Sequence, residues 1–579
     1  MHYDILEKMQ TTHIRLDYND IYPDYKVTFD EIISLIRDFN STDFIKILTI
    51  INIILHNDWT IPTIKSEKEL SLIKTIFPND TFQKIYNILL TKKADKVIDR
   101  QILLNAILLS IQYSRSSTLG LRVKNNEFKI GEILLKLNSV IINNENKKLK
   151  CNGTKEGIYD KILPGIIYQQ LIFNNINNFA TSLGRNFTIF TKGFRNVKLA
   201  HPNEYFDFEN RYIATFGYKF EHLISFGIWL WAKYEKLEAN FTLDVNYLNS
   251  IKDPSLRKKC LLILNDLSDS IINIKTKFKS IYNNIDKPIL NFAPFNNRPF
   301  IKIESNKYIP VDFDFIENRL TDGIFWSLNN SLNSQEEQNR LSTSYGRAFE
   351  WYASEIVKNT FRKNKLENYW LDWNNEIPTI GKDKKSVDII IKEVNTLFLI
   401  EVTKTSLSSN DSLKGDSDIL EKRIHNIWFK KGKILQLFEV YQHFFQNPEF
   451  LPQIKRHRIK NVVPILLVLK SIPQDFGLKL IFYNNILNNF YFEGVKLSKR
   501  FIKSLEFLNI EEFENLASLK VVNGENWRKL YIEKIKYHSD SSFSNFLFNT
   551  YRSKPDFMPM LKSQYDSLFS HCLDFFKNA

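Results

Sequence analysis

Cysteine, glycine and long apolar runs are all scarce in this sequence, and each scarcity closes off a class of function. The three cysteines, Cys151, Cys260 and Cys572, lie too far apart for a zinc spacing or a disulfide framework. That pattern suits a reducing cytoplasm. Only 17 glycines are present, which argues against a dinucleotide-binding fold, and no G-x-x-x-x-G-K-[ST] phosphate loop occurs. H-E-x-x-H, G-x-S-x-G and paired CxxC motifs are missing too. The longest apolar stretches, LISFGIWLWA and VVPILLVL, fall well short of the roughly 20 residues needed to cross a bilayer. The opening residues, MHYDILEKMQTTHIRLDY, lack the cationic start and apolar run of a secretion signal. The expectation is a cytoplasmic protein with no membrane partner.

A chain of 579 residues is too long for one hydrophobic core, so two to four domains are expected. With 43% hydrophobic, 14% aromatic and 25% charged residues, the composition is that of a folded protein. The net charge of +14 suits a polyanionic partner, because lysines and arginines that neutralise phosphates release counterions from nucleic acid. An anionic membrane surface fits nearly as well. The abundance of Asn, Ile, Lys and Phe is what an AT-rich coding sequence produces, so the charge carries little weight.

Residues 1–290 show apolar positions at three- and four-residue spacing, as in FDEIISLIRDFN, and read as a mainly helical region that senses or binds a partner. Residues 291–340 follow as a lead-in: a hairpin over PFIKIESNKYIPVDF, a helix from Phe315 to Asn329 and a polar loop, NSLNSQEEQNRLS. Residues 341–485 form an α/β core. A helix from Tyr345 to Phe361 precedes an extended segment, NYWLDWNNEIPTI. The strands SVDIIIK and TLFLIEVTK come next, then a long helix through LEKRIHNIWFKKGKILQLFEVYQHFF and a last strand, NVVPILLVLK. Residues 486–579 read as a helical extension.

The chemistry concentrates in SVDIIIKEVNTLFLIEVTKT. If Val394 and Asn395 centre a tight turn, paired residues have numbers summing to 789, and Asp388 faces Glu401. Opposed side chains on a sheet stand about 4.5–5.5 Å apart, where like charges are destabilising. Two acids among Ile, Leu and Val at a sheet edge call for a cation, and oxygen ligands suit Mg²⁺ or Mn²⁺. A shifted register would instead turn one acid to solvent. On the preceding helix, Glu350 falls about 20° from Val357, at the margin of the apolar side. It is either a third acid near the site or a rim residue paired with a lysine.

Gly346-Arg347-Ala348-Phe349-Glu350 on a helix, a strand with Asp388, and Ile400-Glu401-Val402-Thr403-Lys404 together resemble the PD-(D/E)xK (restriction-endonuclease-like) nuclease superfamily. The helix and strand that follow complete that superfamily's common core. The resemblance implies an αβββαβ fold with a mixed sheet flanked by helices. It implies that Asp388, Glu401 and the Val402 backbone carbonyl bind Mg²⁺, with Glu350 acting on the attacking water or on a second metal. It implies a metal-dependent endonuclease on DNA (RNA is the other substrate), the effector of a bacterial restriction or antiviral defence system, with a second protein subunit or a second copy as partner.

One departure stands out. Thr403 occupies the position where the family places a lysine, and Lys404 next to it should face the other way by strand alternation. A bulge after Val402 would bring Lys404 inward, or Lys430, Lys431 or Lys433 would reach in from the next helix, or the domain binds without cutting, as a nucleic-acid-binding or scaffold subunit. Gln436 on that helix is a candidate phosphate or base contact. The basic run with Lys455, Arg456 and Arg458 would track a phosphate backbone or form a solvated turn. A separate signal, GFRNVKLAH, places Arg195 six residues before His201, similar to the Arg-polar-x-His signature of HEPN ribonucleases. The segment FTIFTKGF before it reads as a strand, against that family's long helix.

Overall fold

The structure is a computed structural model. It describes residues 15–577 other than 60, 116–120, 125, 150–178, 236–241, 282–291, 362–367, 373–385, 405–432, 470–490, 493–494, 497–503, 539–542 and 552–555. It is mostly helical, with small mixed sheets, and divides into two units. Among the described residues no helix is long and apolar enough to cross a membrane.

Met1–Ile162, Phe216–Ile324 and Phe575–Ala579 make up the first unit. Its helices begin where short polar side chains cap free N–H groups, as Thr28 and Glu31 do reciprocally at the start of Phe29–Arg37. The helix Arg100–Tyr113 is buried on nearly every side, in keeping with its apolar sequence. Four short strands, β1 (Leu243–Asp244), β2 (Ser268–Ser270), β3 (Phe300–Glu304) and β4 (Lys307–Pro310), form a sheet in the order β1-β4-β3-β2. The expected hairpin is β3 and β4, with a register shift between Lys302 and Glu304. The single helix expected from Phe315 to Asn329 is two, Phe313–Leu320 and Asp322–Ser331, broken at Thr321. Asp312 caps the first of these by accepting the Phe315 N–H. The same carboxylate receives the Arg100 guanidinium through two bonds of 2.7 Å and the Asn52 amide at 2.8 Å.

The second unit comprises Leu163–Thr215 and Phe325–Asp574. Its sheet has the order β11-β8-β7-β6-β5, from β5 (Asn368–Asp372), β6 (Ile389–Glu393), β7 (Thr396–Thr403), β8 (Asn461–Val468) and β11 (Glu506–Asn509). A two-stranded ribbon, β9 (Tyr491–Phe492) and β10 (Val495–Lys496), stands apart from it in pairing. The β5, β6 and β7 neighbours run antiparallel, whereas β7, β8 and β11 run parallel. β7 is buried throughout, as near-continuous apolar strands covered on both faces are. On one face Phe398 meets Trp527 and Tyr531 of the helix Trp527–His538. On the other, Glu401 meets the helix Lys433–Gln446.

Three expectations need correction. The helix expected at Tyr345–Phe361 runs from Gln335 to Thr360, because Ser334 caps it and most of the expected polar loop forms its exposed first turns. Residues 486–579 are not purely helical: β11 joins the central sheet, a strand too short to stand out from its helical surroundings. Nor do residues 1–290 form one region, since Leu163–Thr215 groups with the sheet of the second unit.

Candidate active site: a pair of carboxylates

The β6–β7 hairpin sets the site. Glu393 pairs with Thr396 and Ile389 with Ile400, the register that summing to 789 requires. The turn leaves Val394 with φ of 53°, a strained value for a β-branched residue. Neighbours hold the tip in place: Asn395 accepts Lys460 and Arg528, and buried Glu393 accepts Lys520 and the Arg528 N–H. Such over-determination is what lets strained backbone persist.

At the other end, Asp388 sits one residue before β6. Its N–H donates to the Ile400 carbonyl at 3.1 Å, and its carboxylate accepts the Val402 N–H at 2.7 Å. Glu401 is fully buried. One of its oxygens takes the Lys433 ammonium and the other the Gln436 amide, at 3.1 Å. Lys433 and Gln436 stand three residues apart on one helix, the spacing that shares a face. Gln436 also donates to the Ser386 carbonyl, and the buried Ser386 hydroxyl two residues before Asp388 has no partner among the described residues.

Electrostatics follow from that count of charges. Burial, then Glu401, then Glu350 push the Asp388 carboxyl well above the usual range, while Lys433 and the Val402 N–H oppose them. Burial works against charge on Lys433, but Glu401 and Asp388 outweigh it and raise its pKa. One lysine therefore serves two acids, Glu401 fully buried and Asp388 half-buried.

Glu350 lies at the margin. Its carboxylate is 2.9 Å from the Arg347 guanidinium, which in turn holds Glu204 at 2.7 and 3.2 Å. The expected partner for a rim residue was a lysine, although the i,i+3 spacing of Arg347 and Glu350 already pointed to this bridge. Among the described residues no three His, Cys, Asp or Glu side chains gather closely enough to hold a metal ion. The Asp388–Glu401 donor set nevertheless fits a hard divalent cation: its oxygens are carboxylates, its negative charge exceeds its positive charge, and an unpartnered hydroxyl lies close in sequence.

Lys404 is not at the site. Its ammonium reaches Ser342, lies 5.3 Å over the Phe325 ring, and its stem packs beside Gly346. Alternation along β7 wins over the expected bulge, and the ammonium that reaches Glu401 is that of Lys433. Lys430 and Lys431 fall outside the described residues. Gln436, expected to contact nucleic acid, is committed to Glu401 and Ser386.

The basic run is also elsewhere. Lys455 and Arg458 are exposed, whereas Arg456 bonds the Phe450 carbonyl and stacks on Phe444. They precede β8, whose first residue pairs with Thr396, so they flank the hairpin tip. The carboxylates are five residues further along β7, about 17 Å away at strand rise. Arg195 and His201 sit on a continuous helical run from Phe179 to Ala200 and at its end, where a strand was expected. A π turn, Ile189–Gly193, joins the two halves. Arg195 points to solvent.

No protein-family model and no curated protein sequence matches this chain.

Proposed function

We propose that the second unit is a metal-dependent nuclease of the PD-(D/E)xK kind that hydrolyses phosphodiester bonds in DNA. The observation that carries this reading is the Asp388–Glu401 pair at one end of neighbouring strands, with the Lys433 ammonium on Glu401. The order of elements, α-β-β-β-α-β, supports it. The effector of a bacterial restriction or antiviral defence system, working with a second subunit or a second copy, is the setting we propose.

Asp388, Glu401 and the Val402 carbonyl would hold Mg²⁺ or Mn²⁺. The chemistry such a cation supplies is to acidify a water and offset charge building on the phosphate. In hydrolysis the water oxygen forms a bond to phosphorus, the bridging P–O bond breaks, and the leaving oxygen takes up a proton. Lys433 keeps its proton, so it acts as a hydrogen-bond donor and positive charge toward the phosphate. Gln436 fixes the Glu401 carboxylate from the same helix.

A lysine seated on Glu401 also favours a second reading, a nucleic-acid-binding or scaffold subunit in which Lys433 stands in for the cation. One assay separates them: incubation of plasmid, linear and single-stranded DNA and of RNA with Mg²⁺, Mn²⁺ or EDTA, beside Glu401→Ala. Metal-dependent cutting that is lost in the variant supports the nuclease. Binding without cutting supports the scaffold, and RNA cleavage that survives EDTA directs attention to Arg195 and His201.

A further inference from the structure

From Phe179 to Ala200 the chain contains no Asp or Glu. Arg185 is buried in this run, paired with Glu514. The remaining cations, Lys192, Arg195 and Lys198, are exposed and recur every third residue, which keeps them along one side of the helix. The Lys192 and Arg195 side chains have no hydrogen-bond or ion-pair partner among the described residues. Lys198 rests over the Tyr205 ring at 5.5 Å. Of the acids that follow, Glu204 bonds Arg347, and Asp207 accepts the Asn210 amide at 2.8 Å and the Tyr205 hydroxyl at 3.4 Å. Leu199, beside this stripe, is 77% exposed, more than any other large apolar side chain among the described residues.

The stripe has a fixed relation to the helix that carries Glu350. A side chain at Gly193 would meet Ala348 at 3.0 Å and Trp351 at 3.4 Å, so glycine lets the two helices touch. Arg340 of the Gln335–Thr360 helix adds a further exposed cation, held by the Tyr205 carbonyl at 2.9 Å.

We propose that Lys192, Arg195 and Lys198, with Arg340, form a rail that binds the phosphate backbone of a nucleic acid beside the Gln335–Thr360 helix. Cations in a row, with no acid interleaved, complement a polyanion. An anionic membrane fits less well. The apolar side of this helix (Leu183, Ile189, Phe190, Phe194, Val197) is buried in the protein and unable to enter lipid. The choice of nucleic acid rests on the nuclease reading, but binding at the rail needs neither cation nor cutting.

The test uses the full-length protein in EDTA and labelled duplex DNA, single-stranded DNA and single-stranded RNA, with anisotropy read across a salt series. The variants are the triple Lys192→Glu, Arg195→Glu, Lys198→Glu and the double Lys455→Glu, Arg458→Glu. All substituted rail side chains are exposed, and an unchanged melting temperature confirms folding. We expect the triple variant to weaken binding by at least about tenfold and to flatten the salt slope by about one for each phosphate it no longer neutralises. The double variant should bind as the parent does. Parent-like affinity and salt slope in the triple variant overturn the rail, as does binding only to phosphatidylserine vesicles. Cutting by the parent with unimpaired binding by the triple variant removes the rail and leaves the nuclease standing. Loss of binding in the triple variant of a protein that never cuts does the reverse.

Discussion

Lys433 donates its ammonium to Glu401 from a helix that follows the β6–β7 hairpin in sequence, while Lys404, three residues past Glu401, points to the opposite face of the sheet. If Lys433 supplies the positive charge of a nuclease site, Lys433→Met should lower the cleavage rate by about 10²–10⁴-fold, the usual worth of one positioned catalytic donor. Lys404→Met should stay within a few-fold of the parent. The comparison is made by single-turnover cleavage in Mg²⁺. Equal losses in both variants would remove Lys433 from its assigned role.

Much of this site was legible because strand periodicity is strict. Once the turn at Val394-Asn395 fixes the register, Asp388 and Glu401 must be neighbours, and Thr403 and Lys404 must face opposite ways. Helix-borne partners were harder. Nothing local in KKGKILQLF says which lysine reaches a strand whose distance from that helix depends on packing. Gln436, expected to contact phosphate or base, instead bonds Glu401 and Ser386, and the same packing decides that. The membership of β11 in the sheet and of Leu163–Thr215 in the second unit rests on contacts between residues far apart in sequence, which periodicity does not encode.

Two neighbouring acids with one lysine should make the site responsive to divalent cations even without substrate. Ca²⁺ or Mg²⁺ should raise the melting temperature of the parent protein, by an amount equivalent to about 2.7 kcal/mol at a cation concentration 100 times its dissociation constant. Asp388→Asn should abolish the shift by removing one of the two charged ligands. A shift of parental size in Asp388→Asn, read by differential scanning fluorimetry, would place the cation elsewhere.

Arg100 anchors the first unit. Its side chain is 3% exposed and bonds Asp312 twice and Asp314 once, at 2.6 Å. Arg100 outweighs burial at Asp312 and holds that carboxyl below its ordinary range. Arg100→Met should cost about 3–5 kcal/mol, because it strands buried acids without a counter-charge. Adding Asp312→Asn should restore part of that stability. Urea unfolding of the single and double variants checks both, and a double variant weaker than the sum of the two single changes would contradict the pairing.

Glu317 of the same unit gives a pH dependence of opposite sense to acid denaturation. Burial, then the neighbouring Asp314, push its carboxyl up to about 8, although the Trp231 ring N–H donates to it at 3.2 Å. In the unfolded chain the same group ionises near 4.3, the approximate value for a free glutamate. Between these values the folded state holds the proton and the unfolded state has lost it, so stability falls as pH rises from about 4.3 toward 8. Glu317→Gln, which is neutral in both states, should remove that contribution. The melting temperature of the variant should therefore fall less than the parent's between about pH 5 and pH 8. Identical pH slopes in parent and variant would mean that Glu317 ionises in the fold as it does in the open chain.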